Sequence, residues 1–440
     1  MAEFTVVHNG STNLPLKRTG EDGLVIPDAT VAELHEDCRR VLEDQVRHGV
    51  LAEEYGFDRI SYTEHHFQLA GAEFSPNPLM TEMAVASRTS DIRLVQLANI
   101  VNWHDPIRFA EQTAQLDVMS GGRVEVGVGR GYQPRENEIL GQYWGGTVQD
   151  QEKNRVSFDE KLELIRRAWT EDAFSHTGEY HSIPPKHTKW HHEQERRYLE
   201  DDASEYDLED YIDWKEGDLY SSGLWSPVVS GGSTLAGLSV FPQPVQEPHP
   251  QLWQPVTSYR SVRYAAEHGM NGISFGDPNV GKNMARYHEA AEAAGWPDHR
   301  PERDGEPFEF GWDEERGRGL ATGLWVFNTE AASEETFERW KLGLEHGWDY
   351  FGPFGFNRAI TGDVDERATA EAVIDAGVAI VGDTGEIIDG IAALKEGTGT
   401  HDLHLGIFFE SAGVSGEAAD EQLRAFGEEV IPYFEDGSAD

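Results

Sequence analysis

Residues 92–136 read "IRLVQLANIVNWHDPIRFAEQTAQLDVMSGGRVEVGVGRGYQPRE", and their order of elements decides the fold. "IRLVQLANIV" (92–101) is apolar enough to predict a strand buried on both faces. "DPIRFAEQTAQLDVMSGG" (105–122) predicts a helix, with Asp105 as N-cap, Pro106 in the first turn and two glycines at the end. "RVEVGVG" (123–129) predicts a second buried strand. A strand, a helix and a strand at this spacing make a right-handed unit with parallel strands.

The same alternation extends in both directions. Before it, "FTVV" (4–7) and "DRISYT" (58–63) read as strands. A helix over Val31–Tyr55, ended by Gly56, and a helix in "NPLMTEMAVASRTS" (77–90) accompany them. After it come the strands "LWQPVTS" (252–258), "NGISFG" (271–276), "LATGLWVFN" (320–328) and "DLHLGIFFE" (402–410). Helical patterns lie at 154–169, 261–269, 281–295, 333–347 and 417–434. Eight strands, most followed by a helix, predict an α/β fold, a single (β/α)8 TIM barrel over 1–440, rather than an open doubly wound sheet.

The barrel prediction leaves one long stretch over. Residues 186–240 are polar and irregular, and between Glu193 and Asp218 twelve Asp/Glu face three Lys/Arg. They read as a loop insertion, either a solvated excursion or a lid or subunit contact carrying Trp190, Trp214 and Trp225. A second surface loop is expected near 298–319.

Charge excludes several functions. Lys+Arg is 36 against 80 Asp+Glu, a formal net charge of -44. Phosphates would be repelled, which argues against nucleic acid and anionic membranes as partners. At about 1 M salt the Debye length is roughly 3 Å, so such self-repulsion is screened. The balance therefore predicts a protein suited to concentrated salt, as in a halophile's cytoplasm. The one cysteine, Cys38, allows neither an intramolecular disulfide nor a cysteine-based metal cluster. "MAEFTVVHNG" has no signal-peptide character, and no apolar run reaches membrane-spanning length. A soluble, cytoplasmic protein is expected.

In such a barrel the chemistry sits where strands end. "TEHHF" (63–67) ends the second predicted strand. Alternation would send His65 and His66 to opposite sides, so a shared metal is not expected. "NIVNWHDP" ends the third strand, with Asn99, Asn102, Trp103 and His104. "VGVGRGYQPRE" ends the fourth, with bare glycines at 127, 129 and 131 around Arg130, a fork suited to phosphate. It lacks the dinucleotide-binding spacing. Ser258 and Ser261 follow the fifth strand at a helix start, which is either an anion site or an ordinary N-cap. Arg155 opens the helix at 154–169.

Taken together, "GFDRISYTEHHF", "HDPIRFAEQ", "LDVMSGGR" and "GRGYQPRE" resemble the bacterial luciferase-like flavin-dependent monooxygenases. The likeness covers most of the chain outside the acidic insertion and the 300–318 stretch. It implies an oxidoreductase that uses reduced FMN, supplied by a separate flavin reductase, and O2 to oxygenate a small organic substrate through a C4a-peroxyflavin. It implies Arg130, Arg155, Ser258 and Ser261 around the phosphate, with Gly131 and Tyr132 beside it. It implies a cis peptide at Leu97–Ala98 next to Asn99 under the flavin ring. His65 is implied as the catalytic histidine, with Glu64 and Glu136 as acidic partners. Trp325 is a further candidate for the substrate cavity. A homodimer is implied by the resemblance alone. Two alternatives stay open: an F420-dependent oxidoreductase of the same barrel type that transfers hydride, and a non-enzymatic flavin-binding protein.

Overall fold

The structure is a computed structural model. It describes residues 2–20, 23–185, 232–276, 279–295, 319–399 and 403–435, together with 188, 194, 197, 198, 201 and 212–215. Most of the acidic insertion, including Trp190 and Trp225 and the side chain of Trp214, and the loop near 298–318 lie outside the described residues.

All eight predicted strands form. They are β1 (Ala2–His8), β2 (Arg59–Tyr62), β3 (Arg93–Gln96), β4 (Val124–Gly129), β5 (Leu252–Pro255), β6 (Asn271–Phe275), β7 (Leu320–Asn328) and β8 (Leu403–Phe408). Each pairs in parallel with the next, through Val6↔Ile60, Ile60↔Leu94, Leu94↔Val124, Val126↔Leu252, Gln254↔Gly272, Ser274↔Thr322 and Gly323↔Gly406. Phe4↔Leu405 joins β1 to β8 and closes the barrel. A closed parallel barrel has no free edge. The fold is a closed (β/α)8 barrel.

Local sequence sets the helix boundaries. Helix α1 (Val31–Glu54) starts at Thr30, whose side chain accepts the Glu33 N–H in a capping box, and Gly56 leaves it at φ 81°. Helix α2 (Pro78–Ala86) starts at Asn77 with Pro78 at its first position. Sequence reading offers no element for Ala379–Gly382, which forms a short strand alongside the C-terminal half of β7.

The third predicted strand is interrupted. β3 stops at Gln96, the Leu97–Ala98 peptide is cis, and Asn99–Ile100 pairs again with Val128–Gly129. The glycines of β4 make room for this bend. A Cβ at Gly127 would meet the Gln96 carbonyl oxygen at 1.6 Å, and one at Gly129 would meet Ile100 Cδ1 at 2.8 Å. Two of the three bare glycines therefore admit protein chain. Gly131, at φ 74°, shapes the turn that follows.

The barrel interior is apolar around Val95, Leu97, Trp253, Ile273 and Ala321. The N-terminal ends of the strands enclose a charged cluster instead. Glu125 lies 3.2 Å from Arg59 Nε through both oxygens, bonds Arg93, and accepts Trp253 Nε1–H at 2.6 Å. Arg59 also reaches Glu3 at 2.6 Å. Burial opposes ionisation of Glu125, but Arg59 and Arg93 outweigh it and hold the carboxyl at about 2, below its ordinary 4.5. A depressed carboxyl stabilises the fold above its unfolded pKa, and that stability is lost as pH falls through the folded value. Glu125→Gln is therefore expected to flatten the acid limb of stability between pH 4.5 and 2, read by denaturant titration at each pH; an unchanged slope would reject the assignment.

The described chain falls into two compact units, residues 1–100, 119–136 and 250–440, which hold the barrel, and residues 101–118 and 137–249. Within the second unit, helix α3 (Pro106–Ser120) begins at Asp105, whose carboxylate accepts the N–H groups of Ile107 at 3.1 Å and Arg108 at 2.9 Å. The helix Gln151–Thr170 buries Phe158, Leu162, Ile165 and Trp169, and Trp169 Nε1–H donates to the Ala110 carbonyl at 3.1 Å. Among the described residues no helix is long and apolar enough to cross a membrane.

Candidate active site

The C-terminal ends of β1, β2, β4 and β8 carry a second set of titratable groups. The segment after β2 leaves the sheet at Thr63. His65 is held by its backbone N–H on the Ser75 carbonyl at 2.9 Å. Its Nε2 lies 3.0 Å from Glu73 Oε1 and its Nδ1 3.6 Å from Glu136 Oε2, with 11% of the side chain exposed. Burial would lower the imidazole pKa, but Glu73, Glu136 and Glu64 outweigh it and raise it. Burial pushes Glu73 up to about 7, against the pull of His65. Two facing groups displaced toward neutrality can exchange a proton at small cost.

His66 goes elsewhere. Its ring nitrogen Nε2 lies 3.5 Å from Glu64, while its backbone N–H donates to Glu136 at 2.7 Å. The two rings thus face different carboxylates, Glu73 and Glu136 for His65 and Glu64 for His66. No group of metal-ligating side chains occurs among the described residues. Glu64 also accepts the Ile100 N–H at 2.5 Å, so it ties the end of β2 to the bend after β3. Phe67 ends the motif at φ 62°, a left-handed backbone that an aromatic residue seldom adopts.

The structure adds partners that sequence reading missed. Gln133 Nε2–H donates to Glu73 at 3.2 Å and lies 3.5 Å from His65 Nδ1, and Tyr350 O–H donates to Gln133 at 2.8 Å. Gln68 bridges Glu73 and Glu136. Gln133 sits inside the quoted GRGYQPRE run, and Glu73 follows TEHHF by a few residues, so both lay near a visible signal. Tyr350 comes from the helix Glu334–Phe351 and had none. Tyr132 packs edge-on to His65 and to Phe354.

The other predicted residues separate into two groups. Asn99 is buried in the barrel, with its amide on Gln96 at 3.0 Å and the Gly127 carbonyl at 3.4 Å. Arg130 is half-buried on the turn leaving β4. Ser258 caps the helix Tyr259–Glu267 in a capping box with Ser261 on the turn leaving β5, the neighbour of β4. Trp325 stacks on Phe408 at 4.6 Å. Asn102, Trp103 and Arg155 belong to the second unit. There Asn102 donates to the Asn154 carbonyl at 2.9 Å, and Trp103 to Asn137 at 3.0 Å. Arg155 does not open its helix: Asp150 is the N-cap, and Arg155 lies in the second turn, paired with Glu152. The acidic N-cap of Asp150, four residues before the expected start, moved the boundary.

The luciferase-like monooxygenase family model matches residues 23–233. The oxygenase component of a flavin-dependent trigonelline monooxygenase from Acinetobacter baylyi is 21% identical over 58% of this chain and 55% of its own. An F420-dependent glucose-6-phosphate dehydrogenase from Amycolatopsis mediterranei is 29% identical over 32% of this chain and 41% of its own. The chain spans between 25% and 55% of the length of the curated relatives it matches. Among solved structures, the oxygenating constituent of 3,6-diketocamphane monooxygenase from Pseudomonas putida, in complex with FMN, superposes with a TM-score of 0.64. It is 20% identical over 98% of both chains, a likeness of fold.

Proposed function

We propose that this chain is a flavin-dependent monooxygenase, which takes reduced FMN from a separate reductase and O2 to oxygenate a small organic substrate. The observation that carries the reading is His65 held between Glu73 and Glu136 at the strand ends of the barrel. The turns after β4 and β5 fit a flavin phosphate. They bring a guanidinium, two hydroxyls and the first-turn N–H groups of a helix to neighbouring strands. Arg130, Gly131, Ser258 and Ser261 would hold that phosphate, and Leu97, Ala98 and Asn99 would face the ring.

Reduced flavin, when bound, supplies the two electrons that activate O2. The residues of the chain do the rest. His65 holds and returns a proton at a ring nitrogen, with Glu73 setting its charge. Glu136 fixes the ring through Nδ1 and the His66 backbone, and Glu64 fixes the bend that carries Leu97 and Ala98. Tyr132 and Phe354 cover the histidine with aromatic surface and limit water. The homodimer, the reductase and a cytoplasmic location belong to the same proposal.

The similarity to an F420-dependent dehydrogenase supports a second reading, hydride transfer with F420. Absorbance titration of the purified chain in high salt with FMN and with F420 separates the two. FMN binding is the expected result, and F420 binding with no FMN binding rejects the oxygenase.

The net charge of -44 supports a working medium of concentrated salt. The melting temperature in 2 M KCl is expected to exceed that in 0.1 M KCl by more than about 10 °C, because screening relieves carboxylate repulsion. An equal or lower value in 2 M KCl rejects it.

A further inference from the structure

Beyond the His65 cluster, the barrel unit holds a second line of titratable groups. Glu410 follows β8, and its carboxylate accepts the backbone N–H groups of Asn9, of Gly10 at 3.0 Å and of Ser11 at 2.9 Å. Its Oε2 lies 3.1 Å from Nδ1 of His8, the last residue of β1. Nε2 of His8 lies 3.0 Å from Nδ1 of His48 on α1. Nε2 of His48 lies 3.0 Å from Oδ1 of Asp420 and 3.2 Å from the Gly416 carbonyl. At one end Glu410 lines a cavity of about 30 Å³ with Trp325, Phe408 and His346, and about 10–15 Å³ is enough for a bound water. At the other end Asp420 is 24% exposed.

Three buried ionisable groups in a row are costly, and apolar side chains of the same size would fill the space more stably. Their order, from cavity to surface, suits transport. The geometry points to a proton relay that links solvent at Asp420 to the barrel cavity at Glu410 through His48 and His8.

The hydrogen bonds admit two states with the same number of protons. In the first, Glu410 is ionised, His8 donates Nδ1–H to it, and His48 carries protons on both nitrogens. His48 then donates Nδ1–H to His8 and Nε2–H to Asp420. In the second, the Nδ1 proton of His48 has moved to Nε2 of His8, and the Nδ1 proton of His8 has moved to Glu410. Both rings end neutral, and no ring turns during the transfer. The Gly10 N–H, 3.0 Å from His8 Nδ1, then donates to the bared nitrogen. Reset takes one proton from solvent and a tautomer exchange of the two rings.

The surrounding charges favour this direction. Burial, then His48 and Arg47, push His8 well below its ordinary range, so it passes a proton on rather than keeping it. Burial pushes Glu410 up to about 7, against three backbone N–H groups and His48. Arg47 pairs with Asp420 at 3.0 Å and also bonds Asp44, which fixes the surface end. Glu410 raises the pKa of Glu73, the carboxylate on His65, so the cavity end lies within electrostatic reach of the proposed proton handler. His346, on the same cavity, is pushed down by burial, and its Nε2–H donates to the Ala70 carbonyl at 2.8 Å.

The relay rests on the oxygenase reading for its purpose, but its test needs no cofactor. The full chain is subjected to a rapid pH drop, and protonation of Glu410 is followed by its carboxyl infrared band, assigned by loss in Glu410→Gln. His48→Gln is expected to slow the rise of that band at least about tenfold with its final amplitude retained. Asp420→Asn, at the 24% exposed end of the line, is expected to slow it as well in folded protein. Rates equal to wild type in Asp420→Asn and in folded His48→Gln overturn the relay, whatever becomes of the oxygenase. Failure of FMN binding with slowed rates in the variants would reject the oxygenase and leave the relay standing.

Discussion

His65→Ala is expected to lower product turnover by about 10²–10⁴-fold, the range for loss of a positioned acid–base group. FMN binding should stay close to wild type in folded protein, because the neighbours of the ring are Glu73, Glu136 and Tyr132. On the proposed role of His65, its loss leaves the proton at the reacting centre unmanaged, so peroxide released per reduced FMN consumed should rise. The measurement is product and peroxide yield at matched FMN occupancy. Unchanged turnover and unchanged peroxide yield would remove His65 from the chemistry. Glu73→Gln gives an independent check. It removes the carboxylate that most raises the His65 pKa, so the histidine's limb in the pH profile should move to lower pH.

Gly127→Val is expected to destabilise the barrel by on the order of 5 kcal/mol or to prevent folding, among the largest single-residue effects. A Cβ at that position would stand 1.6 Å from the Gln96 carbonyl oxygen and 2.8 Å from its carbon. The obstacle is backbone, so no rotamer change relieves it, and β3 and β4 would have to part. Gly129→Ala meets only the far end of Ile100 and is expected to cost much less, about 1 kcal/mol. Urea titration of both variants decides it. Equal stability of Gly127→Val and wild type would mean that the bend after β3 is not held against β4.

Much of the fold was legible because its signals are local. Strand runs, Asp105 before Pro106 and Gly56 after α1 each act within a few residues. The candidate site was legible in part. TEHHF and GRGYQPRE marked strand ends, where barrel chemistry lies, and Glu136 was named with them. Glu73, Gln68 and Tyr350 were not, because their role is set by distance across the barrel mouth rather than by spacing along the chain. The barrel's polar floor was missed for a related reason: Arg59, Arg93 and Glu125 look like exposed strand residues until the barrel closes over them.

The sequence by itself determined the order of the eight barrel strands, several helix starts and the position of the His65 motif. Those follow from periodicity and capping, which neighbours in the chain decide. Only the tertiary structure decided that the glycines of β4 admit the Gln96 carbonyl and Ile100, that the rings of His65 and His66 face different carboxylates, and that His8, His48, Glu410 and Asp420 form one line. Burial and proximity set those properties, and closing the barrel brings residue 8 to residue 410.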